Sequence, residues 1–232
     1  MEINITYLYP DVLNMYGDKG NILALKYRLE KRGITANISE HYGNDTIDFE
    51  NTDIIYLGGG SDKCYEDVYS YLEPQKQQFN DYIQNGGCVL AVCTGYQLLG
   101  KTCEFDGKTL PGLEILDITT KESKKVIGDV VMNCTLTSSQ ITGFINKNHT
   151  ATGNYDILGT ITHPETINEG VCYKNLIATY VYGPILPKNP ELADVILKNA
   201  ITKKYGDDIS LEVLNDELEQ NASKYIIDKY LK

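Results

Sequence analysis

An α/β fold, with a mostly parallel sheet flanked by helices, is what three features of the sequence predict. Short apolar runs alternate with helix-like segments through the first half of the chain. One run, Cys88 to Val92, leads into a cysteine set among small residues. Another, Asp53 to Leu57, ends at Gly58-Gly59-Gly60. Continuous apolar runs of this kind belong to strands covered on both faces of a sheet.

Taken in order, Ile3 to Tyr9 reads as the first strand. From Asn21 to Lys31 the apolar residues Ile22, Leu25 and Leu29 fall at helical spacing, and Gly33 stops the helix. Ile34 to Ser39 and Asp53 to Leu57 supply two further strands. Tyr65 to Gln84 reads as helix interrupted at Pro74, Cys88 to Val92 as a buried strand, and Thr94 to Leu99 as a helix start. The second half is different. Leu113 to Thr119, Val126 to Met132, Thr152 to Thr162 and Leu176 to Tyr182 read as strands between short polar turns. That pattern predicts an antiparallel or mixed extension of the same sheet. Two helices, about Ala193 to Lys203 and Asn215 to Leu231, close the chain. With no repeat, low-complexity tract or linker, residues 1–232 read as one domain.

Composition narrows the function classes. The formal net charge of -11 argues against nucleic-acid binding, which needs a basic face to displace counterions from phosphates. The six cysteines form no C-x-x-C pair, so neither a zinc site nor a dithiol redox motif is indicated, and no metal is expected. No basic, apolar leader opens the sequence, and no apolar run approaches the roughly 20 residues a membrane helix requires. A reducing cytoplasm is the expected compartment.

The segment Gly86 to Gly100 carries the chemistry. An apolar strand runs into Cys93-Thr94-Gly95, and a helix follows. This order describes a nucleophile elbow, which holds a reactive side chain above a sheet on a sharp strand-to-helix turn. Free amides at the helix start favour a thiolate and offer donors to a tetrahedral oxyanion. The glycines at 58–60 place bare backbone amides at the same sheet edge, but Gly58 to Lys63 does not complete a nucleotide-binding P-loop.

With both segments in view, the chain resembles the cobyric-acid-synthase-type branch of the class I glutamine amidotransferases. Within that branch the likeness runs to the glutaminase subunits of lipid II isoglutaminyl synthases. It rests on Leu13 to Ile22 (LNMYGDKGNI), Gly58 to Asp62, Cys93 to Gln97, Gly112 to Asp117, Gly128 to Val131 and Tyr173 to Pro190, in that order. The resemblance implies that Cys93 is the nucleophile, that Gly59 or Gly60 and Thr94 supply oxyanion amides, and that Gln97 helps seat glutamine. It also implies a division of labour. This chain would release ammonia from glutamine without a cofactor of its own. A separate Mur-ligase-like, ATP- and Mg-dependent synthetase subunit would amidate the stem-peptide glutamate of lipid II.

Three positions depart from that pattern. The family's Thr-Tyr-Leu-His-Gly-Pro is here Thr179-Tyr180-Val181-Tyr182-Gly183-Pro184, so Tyr182 stands at the histidine position. A phenol titrating near pH ~10 is a poor base at neutrality. Lys125 replaces an arginine that grips the glutamine carboxylate, keeping the charge but losing the bidentate fork. An Asn-His-Gly-Gly stretch becomes Asn146-Lys147-Asn148-His149. Expected consequences are impaired or rearranged glutaminase chemistry or, alternatively, a non-catalytic binding or regulatory subunit of the ligase. Of the three histidines, His163, in His163-Pro164-Glu165, is the first substitute base, because other class I amidotransferases use such a tripeptide. His149, read as lying in a polar loop, is the second, and His41 reads as solvated.

Overall fold

The computed structural model describes residues 1–207 and 209–230. Six strands build the first sheet: β1 (Glu2–Leu8), β2 (Thr35–His41), β3 (Ile54–Leu57), β4 (Cys88–Val92), β11 (Val171–Tyr173) and β12 (Leu176–Thr179). Their order is β11-β12-β4-β3-β1-β2, and every pairing is parallel except β11 with β12. Strands β3 and β4 are buried at every residue, which is why they read as unbroken apolar runs.

Helix α1 (Lys19–Glu30) buries the stripe Ile22, Leu25 and Leu29. The expected break at Pro74 separates α2 (Tyr65–Leu72) from α3 (Lys76–Gln84) through a short 3-10 turn. Helix α4 (Thr94–Leu98) follows β4 directly. Helix α5 (Pro190–Tyr205) and helix α6 (Glu217–Tyr230) come last. The expected end of α6 at Leu231 lies outside the described residues. Nearly buried Arg28 binds Asp194 of α5 and Asp216, just before α6, which ties the last two helices to α1.

The second half departs from expectation. Although β11 and β12 join the first sheet, as a mixed extension would, residues 102–169 form a second one. That sheet contains β5 (Thr102–Phe105), β6 (Lys108–Pro111), β7 (Ile118–Cys134), β8 (Ile141–Gly153), β9 (Gly159–His163) and β10 (Ile167–Glu169). Residues Leu113 to Asp117 are not strand. Their amides at Leu113, Glu114 and Leu116 turn back to the carbonyls of Leu98, Gly100 and Leu99 at the end of α4. The predicted strand from Thr152 to Thr162 divides between the end of β8 and β9. Beyond β12 the chain pairs once more, Tyr182 with Phe144 of β8, and this bridge joins the two sheets beside the carboxyl ends of the parallel strands. No helix among the described residues is long and apolar enough to cross a membrane.

Candidate active site

Strand β4 carries Cys93 to the carboxyl edge of the first sheet, and the chain then turns abruptly into α4. Cys93 has φ 53° and ψ -110°, a backbone state that costs a side-chain-bearing residue about 1–3 kcal/mol. Neighbours hold it there. Its N–H donates to Thr179 O at 2.9 Å, and Gly95 N–H donates to Gly58 O at 3.1 Å. Position 95 has no room for a side chain, since a Cβ would strike the Leu57 carbonyl oxygen. A Cβ on Gly59 would sit 3.1 Å from that of Cys93, so the glycine loop lies directly against the nucleophile position.

The thiol itself runs against expectation. Burial pushes Cys93 up to about 12, although the Thr94 backbone N–H and hydroxyl pull it down; Asp18 and Asp62 push further upward. Helix α4 spans five residues, too short for its dipole to outweigh desolvation. Cys93 keeps partial exposure to the adjoining cavity but is surrounded by protein otherwise. Burial thus favours the thiol over the thiolate at neutral pH.

Nor are the expected oxyanion amides free. Gly59 N–H donates to Asp18 Oδ1 at 3.1 Å, and Gly60 N–H donates to Thr94 Oγ1 at 3.1 Å. The Thr94 hydroxyl returns a hydrogen bond to Gly60 O at 3.0 Å. The Thr94 backbone N–H, by contrast, faces the Cys93 sulfur. Asp18, nearly buried, also accepts the Tyr56 hydroxyl at 2.6 Å, and Asn21 donates to that hydroxyl at 2.8 Å. This layer beneath the glycine loop was not singled out from sequence. Asp18 and Asn21 belong to the Leu13–Ile22 stretch, whose roles no spacing rule discloses.

A cavity of about 300 Å³ opens beside the elbow. Cys93, Gln97 and Gly60 line it from the first sheet; Lys125, Lys147 and His149 line it from the second; Tyr16 closes another side. Lys125 stands exposed where the β7–β8 register shifts between Glu122 and Val126. Lys147, 8% exposed, pairs with Glu169, 2% exposed, at 3.0 Å. Glu169 also accepts the Thr179 hydroxyl and the Tyr180 N–H, which stiffens the strand end that receives the Cys93 amide. Of the two lysines, Lys125 is therefore the one whose charge faces the cavity without a paired carboxylate among the described residues.

Tyr182 is 1% exposed. Its ring stacks on Tyr16 at 4.3 Å, and its hydroxyl donates to Asn146 O at 3.0 Å. Burial, with Cys93 and Tyr16 close by, drives the phenol far above its ordinary range. It lies near Cys93 but, held protonated by burial, cannot collect a proton.

The histidines separate clearly. His163 stacks on Tyr230 of α6 at 3.9 Å and does not line the cavity. His41 lies at the end of β2, where burial lowers its affinity for a proton. His149 is not in a polar loop: it is a β8 residue, 2% exposed, lining the same cavity as Cys93. Among the described residues no group of three or more His, Cys, Asp or Glu side chains could hold a metal ion.

Comparison with known proteins agrees with this geometry. The CobB/CobQ-like glutamine amidotransferase domain family matches residues 4–190. The chain is 37% identical to the lipid II isoglutaminyl synthase (glutamine-hydrolyzing) subunit GatD of Staphylococcus aureus, covering 98% of this chain and 96% of that protein. It is 35% identical to the same-named subunit of Streptococcus pneumoniae, covering 98% and 91%. A cobyric acid synthase of Listeria innocua is 26% identical over 65% of this chain, which spans 32% of that longer protein. Among solved structures, a Thermotoga maritima glutamine amidotransferase superposes with TM-score 0.54 at 13% identity, covering 97% of this chain and 93% of that one. That likeness shows the fold.

Proposed function

Because the chain belongs to the CobB/CobQ-like glutamine amidotransferase family, we propose that it is the glutamine-hydrolysing subunit of a synthetase that amidates lipid II. The observation that carries this reading is Cys93 on its strained elbow, opening into a cavity that also presents Lys125. The two relatives named as subunits of lipid II isoglutaminyl synthase match nearly end to end, which supports the same acceptor. Lys125 binds the α-carboxylate of glutamine, and Gln97 contacts its body. Cys93 attacks the side-chain amide carbon, with the Thr94 N–H facing the developing oxyanion. Ammonia leaves, and water releases glutamate from the thioester. For Gly59 or Gly60 to add a second oxyanion donor, the loop must release its contact with Asp18 or Thr94.

The partner in this reading is a Mur-ligase-like subunit that binds ATP and Mg, so no cofactor resides in this chain, and both work in the cytoplasm. A second reading rests on Tyr182. A phenol that is buried, stacked and bonded to a carbonyl leaves the family's histidine position without a base, which suits a non-catalytic binding or regulatory subunit of the same ligase. Covalent trapping separates the two. A glutamine analogue with a diazoketone in place of the amide should add one label, at Cys93, in the complex with the synthetase subunit. Absence of both label and ammonia release under those conditions would favour the non-catalytic reading.

A further inference from the structure

We infer that His149 is the proton acceptor for Cys93 in this chain. The inference rests on the glutaminase reading for its reaction, but the placement of the ring is independent of that reading. Tyr182 is unable to serve, and His41 and His163 lie elsewhere, so His149 is the imidazole that shares the cavity with the nucleophile. Its ring is held on two sides. Phe105 meets it edge-on at 5.1 Å, and Nε2 lies 2.7 Å from the backbone carbonyl of Glu104. A carbonyl oxygen only accepts, so Nε2 carries the proton and Nδ1 is left with its lone pair. No other hydrogen bond reaches the ring among the described residues. The carbonyl thus fixes the tautomer, the task an acidic residue performs in a catalytic triad. Cys93 and His149 line one cavity of about 300 Å³, and a proton passes between them directly or through water.

The balanced sequence is short. The Cys93 S–H proton passes to His149 Nδ1 as sulfur bonds to the amide carbon of glutamine. The imidazolium returns that proton to the departing nitrogen, the C–N bond breaks, and ammonia and the thioester result. Water then gives one proton to Nδ1 and its hydroxyl to the acyl carbon. The C–S bond breaks, glutamate leaves, and the imidazolium reprotonates sulfur.

Charged groups around the ring come from several elements: Glu122 opposite it on β7, Glu104 on β5, Lys147 on β8, and Lys125 and Asp62 at the cavity. The test uses His149→Gln, whose amide can keep the bond to Glu104 O, with His163→Gln as control. Two readouts are taken on the complex with its synthetase subunit: ammonia release from glutamine, and the rate at which iodoacetamide modifies Cys93 between pH 5 and 10. The original chain and the control should show a pH-dependent inflection in both rates. His149→Gln should lose it, with both rates at pH 7.5 at least tenfold lower. Adding free imidazole to His149→Ala should restore part of the alkylation rate, which a merely structural role would not permit. Ammonia release and alkylation both within twofold of the original in His149→Gln would overturn the inference and leave the glutaminase reading standing. No ammonia from any protein, with alkylation still tenfold slower in His149→Gln, would uphold His149 and remove the glutaminase reading.

Discussion

The two walls of the cavity follow different rules. One comes from the first sheet: apolar strands β3 and β4, a glycine loop and the Cys93 elbow, held by backbone hydrogen bonds and by the Asp18–Tyr56–Asn21 layer. The other comes from the second sheet and the β12 extension: Lys125, Lys147, His149 and, next to them, Tyr182. The first wall keeps every group that a nucleophile needs for positioning. The second holds the three positions at which the sequence was expected to depart from the family it resembles. Side-chain chemistry is replaceable when the backbone that presents it is fixed elsewhere, and the nucleophile wall is fixed by geometry that tolerates little change.

The sharpest break is removal of the nucleophile. Cys93→Ala should lower ammonia release by more than about 10³-fold, as deletion of a covalent nucleophile does elsewhere, with the thermal midpoint essentially retained. A smaller loss would place the chemistry outside the elbow.

Next comes the ion pair that stiffens the second wall. Glu169→Ala leaves Lys147 charged, buried and unpaired and frees the Thr179 hydroxyl and Tyr180 N–H. Loss of one partner of a buried pair costs about 3–5 kcal/mol. Denaturant titration should show a fall of that order. A change below about 1 kcal/mol would mean that water takes over the role of the carboxylate.

Substrate grip is a smaller effect. Lys125→Ala should raise KM for glutamine about 10- to 100-fold, the equivalent of one lost charge-assisted hydrogen bond, while kcat shifts little. Lys125→Arg should lower KM a few-fold by restoring a two-pronged contact. Equal falls in kcat and kcat/KM for Lys125→Ala would assign the lysine to the transition state instead.

The pH profile separates the walls further. Because burial raises the Cys93 thiol to about 12, alkylation in His149→Gln should climb roughly tenfold per pH unit through the alkaline range without levelling off below pH 11. A plateau near pH 8 would show that the helix end outweighs burial.

The same contrast explains what was legible in the sequence. β3, β4, α1 and the elbow followed from apolar runs and helical spacing, because both faces of those strands are buried. β8 was invisible for a physical reason. From Gly143 to His149 burial alternates as a strand should, but Lys147 and His149 occupy inward positions, so polarity fails to alternate with it. The residues that hid the strand are the ones that line the cavity. The β5–β6 hairpin did carry a signal, Asp106-Gly107, with φ 50° and 74° as a tight primed turn requires. Glu169 and Asp18 gave no signal, since a buried carboxylate with distant partners looks like any surface acid in a linear sequence.

In the proposed reading Cys93 is the intact nucleophile and Tyr182 stands where the resembling family has its histidine. Steady-state ammonia release by the original chain, by Tyr182→His and by Tyr182→His with Cys93→Ala, each with the synthetase subunit, measures this directly. The original should be slow. Tyr182→His should be at least about tenfold faster, a modest share of the 10²–10⁴ that general acid–base help supplies, and the double variant should be inactive. Rapid release by the original chain that Tyr182→His leaves unchanged or lowers would contradict the account.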